Sequence, residues 1–267
     1  MMSPKPNSAG DKPLERYLSI VEVVAAFPDG IGLTQIMEII GLPKTTVHRL
    51  LSGLVETGAL EQSKHWAPTY TLGARMLRML YVGTPDEWIQ PLTRPLLADL
   101  ADRTGLSAFV AKLSDKEVRS VAMAAPEHAS ARGYVVPGRQ LWPHAGSSAK
   151  AILAFQPQHV LDAILPSPLP QLTDRTITDL KTLEKEFRKI RKEGLAICVA
   201  EDFAGFGGLA CPIELAKVGV IYSVAVTATT EVLFGSQQAF YTAELRRTAK
   251  RLGHAIATRL VQAPVAA

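Results

Sequence analysis

The apolar positions fall into two regimes. Leu14, Tyr17, Leu18, Val21, Val24 and Ala25 recur at helical spacing and predict a first amphipathic helix. Pro28-Asp29-Gly30 then breaks the chain. Leu33 to Ile40 reads as a short second helix, and Gly41-Leu42-Pro43 as a tight connection. A third helix follows from Pro43 to Thr57, with Val47, Leu50, Leu51 and Leu54 as its inner stripe. Gly58 stands where a left-handed cap would end it. Ala59 to Gln62 and Thr69 to Leu72 read as two strands around a hairpin tip, Ser63-Lys64-His65-Trp66-Ala67-Pro68. Gly73 to Tyr81 is a basic helix, broken by Gly83-Thr84-Pro85.

Beyond that break the pattern alternates. Helices are expected at Ile89 to Arg103, Ser147 to Phe155, Leu180 to Lys192 and Ser236 to Val261. In the third of these, Leu180, Leu183, Phe187 and Ile190 supply the buried stripe. Strands are expected at Ser107 to Leu113, Val118 to Ala124, Leu195 to Val199, Gly208 to Ile213 and Val218 to Thr227. The reading is α+β: an N-terminal winged helix-turn-helix followed by a larger domain with an antiparallel sheet flanked by helices. The expected division is 1–12 as a disordered tail, 13–72 as the winged helix-turn-helix, 73–87 as linker helix and break, and 88–263 as the second domain.

Composition narrows the classes. Of the 267 residues, 47% are hydrophobic and 20% charged, ample for two cores. No apolar run approaches the ~20 residues that span a bilayer, so no membrane partner is expected. Two cysteines do not make a disulfide framework and fit a reducing cytoplasm. The net charge of +4 permits nucleic-acid binding without establishing it. Cys198, Cys211, His128, His144 and His159 lack metal-ligand spacing, so no metal and no cofactor are expected.

Lys44, Thr45, Thr46, His48, Arg49 and Ser52 gather on the outer side of the third helix. Such donors suit phosphate contacts and base-edge reading in a major groove. An ordinary solvated helix face has the same chemistry. The helix-turn-helix order around it favours DNA.

At this point the chain resembles the IclR family of bacterial transcription regulators. The resemblance rests on Leu14-Glu15-Arg16-Tyr17-Leu18, on Gly41-Leu42-Pro43-Lys44-Thr45-Thr46-Val47-His48-Arg49-Leu50-Leu51 and on Tyr70-Thr71-Leu72-Gly73. In the second half it rests on Pro143-His144-Ala145-Gly146-Ser147-Ser148-Ala149-Lys150-Ala151, Thr176-Ile177-Thr178 and Gly194-Leu195-Ala196 followed by Glu201. The resemblance implies a GAF-like effector-binding domain and homodimers, with dimers of dimers, on palindromic double-stranded operators. Repressors and activators both occur among such proteins. It implies DNA contacts by Arg16, Lys44, Thr45, Thr46, His48 and Arg49; Ser52 on the same helical face and Lys64 at the hairpin tip complete the expected set. The wing departs from the family pattern, carrying Lys64-His65-Trp66-Ala67-Pro68 where Arg and Gly are usual.

The resemblance also implies a small organic-acid effector bound near Leu141, Ser147, Ser148, Cys198, Glu201, Phe206, Gly208, Val224 and Val226. Ser147-Ser148 opens a helix, where backbone amides attract an anion; plain N-capping by serine is the simpler reading. Ala149 stands where the family has glycine. Cysteine, glycine and valine at the other positions point to an acid with an apolar or aromatic body. A one-residue slip in the last strand would instead turn Ser223, Ala225 and Thr227 inward.

Two other functions compete. Ser147 and Lys150 make the S-x-x-K spacing of serine acyl enzymes, but the companion motifs are absent. No nucleophile or acid–base pair converges elsewhere, so no catalytic residue is expected. The third reading is an architectural DNA binder without an effector.

Overall fold

The computed structural model describes residues 12–64, 67–82, 86–114, 116–126 and 135–262. The expected tail, apart from Lys12, lies outside them, as do His65 and Trp66 of the hairpin tip, and His128. The chain packs as two units that divide between Tyr81 and Val82.

The first unit contains α1 (Pro13–Ala25), β1 (Ile31–Gly32), α2 (Leu33–Ile40), α3 (Lys44–Glu56), β2 (Leu60–Gln62), β3 (Thr69–Leu72) and α4 (Ala74–Val82). The hairpin β2–β3 is antiparallel, with Leu60 opposite Leu72. A third strand, β1, pairs Ile31 with Tyr70 on the other side of β3. Strand β1 is only two residues long, too short for an alternating pattern to reveal.

Gly41 closes α2 in the left-handed region, φ 72, where side chains other than glycine are strained. Pro43 is the N-cap of α3, one position earlier than expected. Val47, Leu50, Leu51 and Leu54 are buried as the pattern requires, against Ile20, Val24, Ile31 and Ile36. The stripe of α1 differs from expectation. Ile20, Val21 and Val24 are buried and Tyr17 is half-buried, whereas Leu14 is 68% and Leu18 44% exposed. At roughly 100° per residue, Tyr17, Ile20, Val21 and Val24 share one face, and Leu14, Leu18 and Ala25 lie on its flank.

The second unit contains α5 (Ile89–Thr104), β4 (Ser107–Ser114), β5 (Glu117–Ala124), β6 (Gln140–Leu141), α6 (Ser147–Leu153), α7 (Gln158–Ile164), α8 (Leu180–Glu193), β7 (Ala196–Val199), β8 (Phe206–Leu215), β9 (Gly219–Thr229), α9 (Thr230–Leu233) and α10 (Gln238–Gln262). One six-stranded sheet runs β6-β5-β4-β9-β8-β7, every pairing antiparallel. Helices α5 and α10 pack together and against β4, β5, β8 and β9, while α6 packs on β7, β8, β9 and α8.

Strand alternation assigns residues to these two faces. Phe109, Ala111, Ala196, Ala210 and Ala225 share a core with Ala149, Ile152 and Leu153 of α6. In α8, Leu183, Phe187 and Ile190 are buried, but Leu180 is 49% exposed. Leu180 fits the stripe by spacing, yet it stands in the first turn beside α7, not under the sheet.

Candidate functional site

Helix α3 presents a polar face built by its own periodicity. With Val47, Leu50, Leu51 and Leu54 turned into the core, Lys44, Thr45, His48 and Arg49 are exposed and Thr46 and Ser52 half-buried. Among the described residues the side chains of Lys44, His48 and Arg49 have no ion-pair partner. No acidic residue stands in the first turn, and no side chain caps the helix start. That end therefore keeps its positive partial charge for an outside anion. Arg16 is half-buried on α1 and has a partner within the protein. Lys64 is exposed just after β2.

The α6 face of the sheet gathers most of the second set. Ser147 and Ser148 are 6% and 1% exposed. Ser223 of β9 donates its hydroxyl to the Ser148 carbonyl at 3.0 Å, so Ser223, and by alternation Ala225 and Thr227, lie on this face. The Thr227 hydroxyl donates to the Gly207 carbonyl at 2.9 Å. Gly208 touches α6 directly: a Cβ there would stand 2.4 Å from Ser147 Oγ. Cys198 pairs with Gly208 across β7 and β8 and shares its face. Phe206 belongs to the same face and packs edge-on against Phe203, with centroids 5.7 Å apart. Leu141 is half-buried on β6, opposite Val118 and at the other edge of the sheet.

Val224 and Val226 do not join this group. They pair with Cys211 and Leu209 of β8, and Cys211 lines a groove with Arg246 and Ala249 of α10. Their side chains face α10 because β9 alternates and Ser223 is held to α6. The one-residue slip is the arrangement that occurs. A strand buried on both faces has no exposed side to mark its register in the sequence.

At the β7 edge of this face lies an ion pair. Lys150 Nζ is 2.8 and 2.9 Å from the two oxygens of Glu201 and 2.9 Å from the Ile197 carbonyl. The Lys150 side chain is fully buried, and a Glu186 oxygen lies 4.0 Å away. Burial pushes the Glu201 carboxyl above its ordinary range, and the Lys150 ammonium opposes the rise. The ammonium is thus directed at Glu201 and Ile197, and the S-x-x-K spacing reflects packing of α6 on β7. Cys198 donates to Asp202 at 3.4 Å, and burial pushes its thiol up to about 12. It is a packed thiol, not a nucleophile. His144 is buried and donates Nε2–H to the Pro170 carbonyl at 2.8 Å; burial lowers its pKa.

Some neighbours of this face escaped the sequence reading. The loop from Ala200 to Gly205 is clamped by Thr173 and Thr176, whose hydroxyls donate to the Ala200 and Glu201 carbonyls at 2.7 and 2.6 Å. Ala200 itself is held at φ 54, a strained value for a residue with a Cβ. Only Thr176 carried a signal, as part of a recognisable motif. Among the described residues no group of three His, Cys, Asp or Glu could hold a metal ion, and no helix is long and apolar enough to cross a membrane.

Comparison with known proteins follows the same division. Residues 13–64 match the IclR helix-turn-helix domain, and residues 87–254 match the C-terminal domain described as bacterial transcriptional regulator IclR. The chain is 29% identical over 214 residues to the HTH-type transcriptional regulator BhcR of Paracoccus denitrificans, covering 78% of this chain and 74% of that one. It is 25% identical over 257 residues to the DNA-binding transcriptional repressor YiaJ of Escherichia coli, covering 95% and 91%. Among solved structures, an IclR transcriptional regulator from Silicibacter sp. TM1040 aligns at TM-score 0.60 and 27% identity, over 91% of this chain and 96% of that one.

Proposed function

This chain belongs to the IclR family of bacterial transcriptional regulators, and from that premise we propose that a small organic acid bound on the α6 face of its C-terminal sheet sets its affinity for a palindromic operator. The N-terminal domain is of the family's DNA-binding type. The observation that carries the DNA reading is the outer face of α3. Its Lys44, Thr45, His48 and Arg49 are exposed above a fully packed inner stripe. Thr46, Ser52, Arg16 and Lys64 complete the proposed contact set. In a homodimer two such helices would read half-sites about 34 Å apart.

The effector reading rests on the same face that Ser147, Gly208, Ser223 and Thr227 share. Ser148 Oγ is buried there with no hydrogen-bond partner among the described residues, a polar atom that an acid group would satisfy. Family resemblance supports a carboxylate beside Ser147 and Ser148. The expectation of an apolar body no longer stands on Val224 and Val226. It stands on Ala225, Cys198 and Phe206, since the Ser223 and Thr227 hydroxyls already donate to backbone carbonyls. A ligand acts on operator affinity only through its differential affinity for two states of the protein.

Selection of sites from random duplex DNA, followed by titration, tests the proposal. The full chain enriches a palindrome, and Arg49→Ala weakens binding to it by ~1–3 kcal/mol if the guanidinium reads guanine. Unaltered affinity in Arg49→Ala sinks the assignment of α3. A panel of small organic acids, read by thermal shift and then by operator affinity, tests the effector. Saturation at ~100 times the dissociation constant adds ~2.7 kcal/mol of stability. Specific DNA binding with no acid shifting either readout would leave a ligand-independent DNA binder.

A further inference from the structure

We propose a binding site for a phosphorylated polyol of hexose size in the groove between α10 and the outer edge of β8, on the side of the C-terminal sheet turned away from α6. The groove has a volume of about 420 Å³, within the ~300–1,000 Å³ range of small-molecule pockets. Strand alternation separates it from the α6 face. Ala210 shares the α6 core, whereas its neighbour Cys211 lines the groove with Ala249 and Gly253 of α10. The pairing of β7 with β8 stops at Ala210, so Pro212 and Glu214 stand on a stretch of β8 that no strand covers on that side.

Helix α10 divides its cations between two rows. Arg247 and Arg251 are taken by Asp99 of α5, at 3.3 and 2.6 Å. Arg246, Lys250 and His254 form the second row; all three line the groove and are exposed. A rise of ~1.5 Å per residue sets them ~6 Å apart along the helix. Among the described residues the side chains of Lys250 and His254 have no hydrogen-bond or ion-pair partner. Arg246 donates to the Glu193 carbonyl at 3.0 Å, which ties it to the end of α8, and the rest of its N–H fork has no partner among the described residues. Such a row suits a phosphate group, whose oxygens accept charge-assisted bonds from several donors at once.

The rest of the groove selects the body of the ligand. Glu214 lines it with a carboxylate that has no partner among the described residues. A bare anion meets repulsion there, whereas hydroxyl groups donate to that carboxylate. Among the described residues no Phe, Tyr or Trp lines the groove, so an aromatic acid finds no such ring to stack on. A phosphate on the α10 row with hydroxyls on Glu214 uses both signs of charge. Strand addition by a peptide is disfavoured, because Pro212 has no N–H and the register shifts between Ile213 and Glu214.

The site does not depend on the effector reading given above. Calorimetric titration of the full chain with glucose 6-phosphate, glucose and inorganic phosphate, without DNA, is the test. Glucose 6-phosphate binds saturably and about tenfold tighter than either glucose or phosphate. Lys250→Met weakens the ester about tenfold, and Glu214→Gln narrows the gap between ester and inorganic phosphate. Both substituted side chains are exposed and make no contact that the fold needs. Gly208→Ala, on the opposite face, leaves the ester's affinity unchanged. The proposal is overturned by no saturable binding of the ester, by inorganic phosphate binding as tightly, by affinities that Lys250→Met or Glu214→Gln leave unaltered, or by binding lost in a folded Gly208→Ala protein. These titrations involve neither operator nor organic acid, so failure here is distinguishable from failure of the regulator reading.

Discussion

The Lys150 ammonium lies 2.8 and 2.9 Å from the two carboxylate oxygens of Glu201, which ties the middle of α6 to the loop after β7. The lysine side chain is fully buried and that of Glu201 11% exposed. Removing one partner leaves the other charge in a low-dielectric interior. Lys150→Met is therefore expected to destabilise the C-terminal domain by ~3–5 kcal/mol. The double change Lys150→Met with Glu201→Leu should recover most of that loss, because neither charge then needs a counter-ion. Urea unfolding followed by circular dichroism checks both. A single variant within ~1 kcal/mol of the parent would show that Glu186 and water compensate.

Gly73 joins β3 to α4 where no side chain fits. A Cβ would stand 2.3 Å from the Gly58 carbonyl oxygen and 2.9 Å from the Leu60 carbonyl carbon. Both obstacles are backbone, so the hairpin must move. Gly73→Ala should destabilise the N-terminal domain by ~1–3 kcal/mol and weaken DNA binding. The C-terminal unfolding transition should stay in place. Separate thermal transitions, recorded by calorimetry, distinguish the two domains.

Gly208→Ala tests the α6 face more gently. Its methyl group would meet Ser147 Oγ at 2.4 Å, and only a rotation of the serine hydroxyl or a shift of α6 relieves it. Acid binding on this face is expected to weaken, while operator affinity without ligand is unchanged. Titration of the strongest acid from the panel into both proteins is the check. An unaltered dissociation constant would move the effector off this face.

Acid stability should depend on the link between α5 and α10. Arg103 donates two hydrogen bonds to Glu244, at 2.7 and 2.8 Å, and holds its carboxyl below the ordinary range. A depressed folded value means stability that is present above the unfolded pKa of about 4.3 and lost as pH falls through the folded value. Arg251 does the same to Asp99 on α5. Arg103→Met should therefore lower the urea midpoint at pH 7 and lower it by less at pH 3. An equal gap at both values would show that packing of the arginine stem, not its charge, is what counts.

The order of helices, the hairpin of the first unit and the inner stripe of α3 follow from spacing alone, because 3.6-residue periodicity and turn chemistry are local. The polar outer face of α3 was legible for the same reason: fixing Val47, Leu50, Leu51 and Leu54 inside fixes Thr45 and Arg49 outside. The faces of β9 were not legible. Both sets of its side chains are buried, so no exposed polar face marks the register, and only the hydrogen bond from Ser223 to Ser148 decides which set looks toward α6. Leu14 and Leu180 fit their helical stripes by spacing but sit in first turns that their neighbours do not cover. The pairing of Lys150 with Glu201 joins residues 51 positions apart in the chain. Sequence determined which residues carry charge and which are apolar. Tertiary packing decided which charge is buried against which, because desolvation and register are properties of contacts and not of spacing.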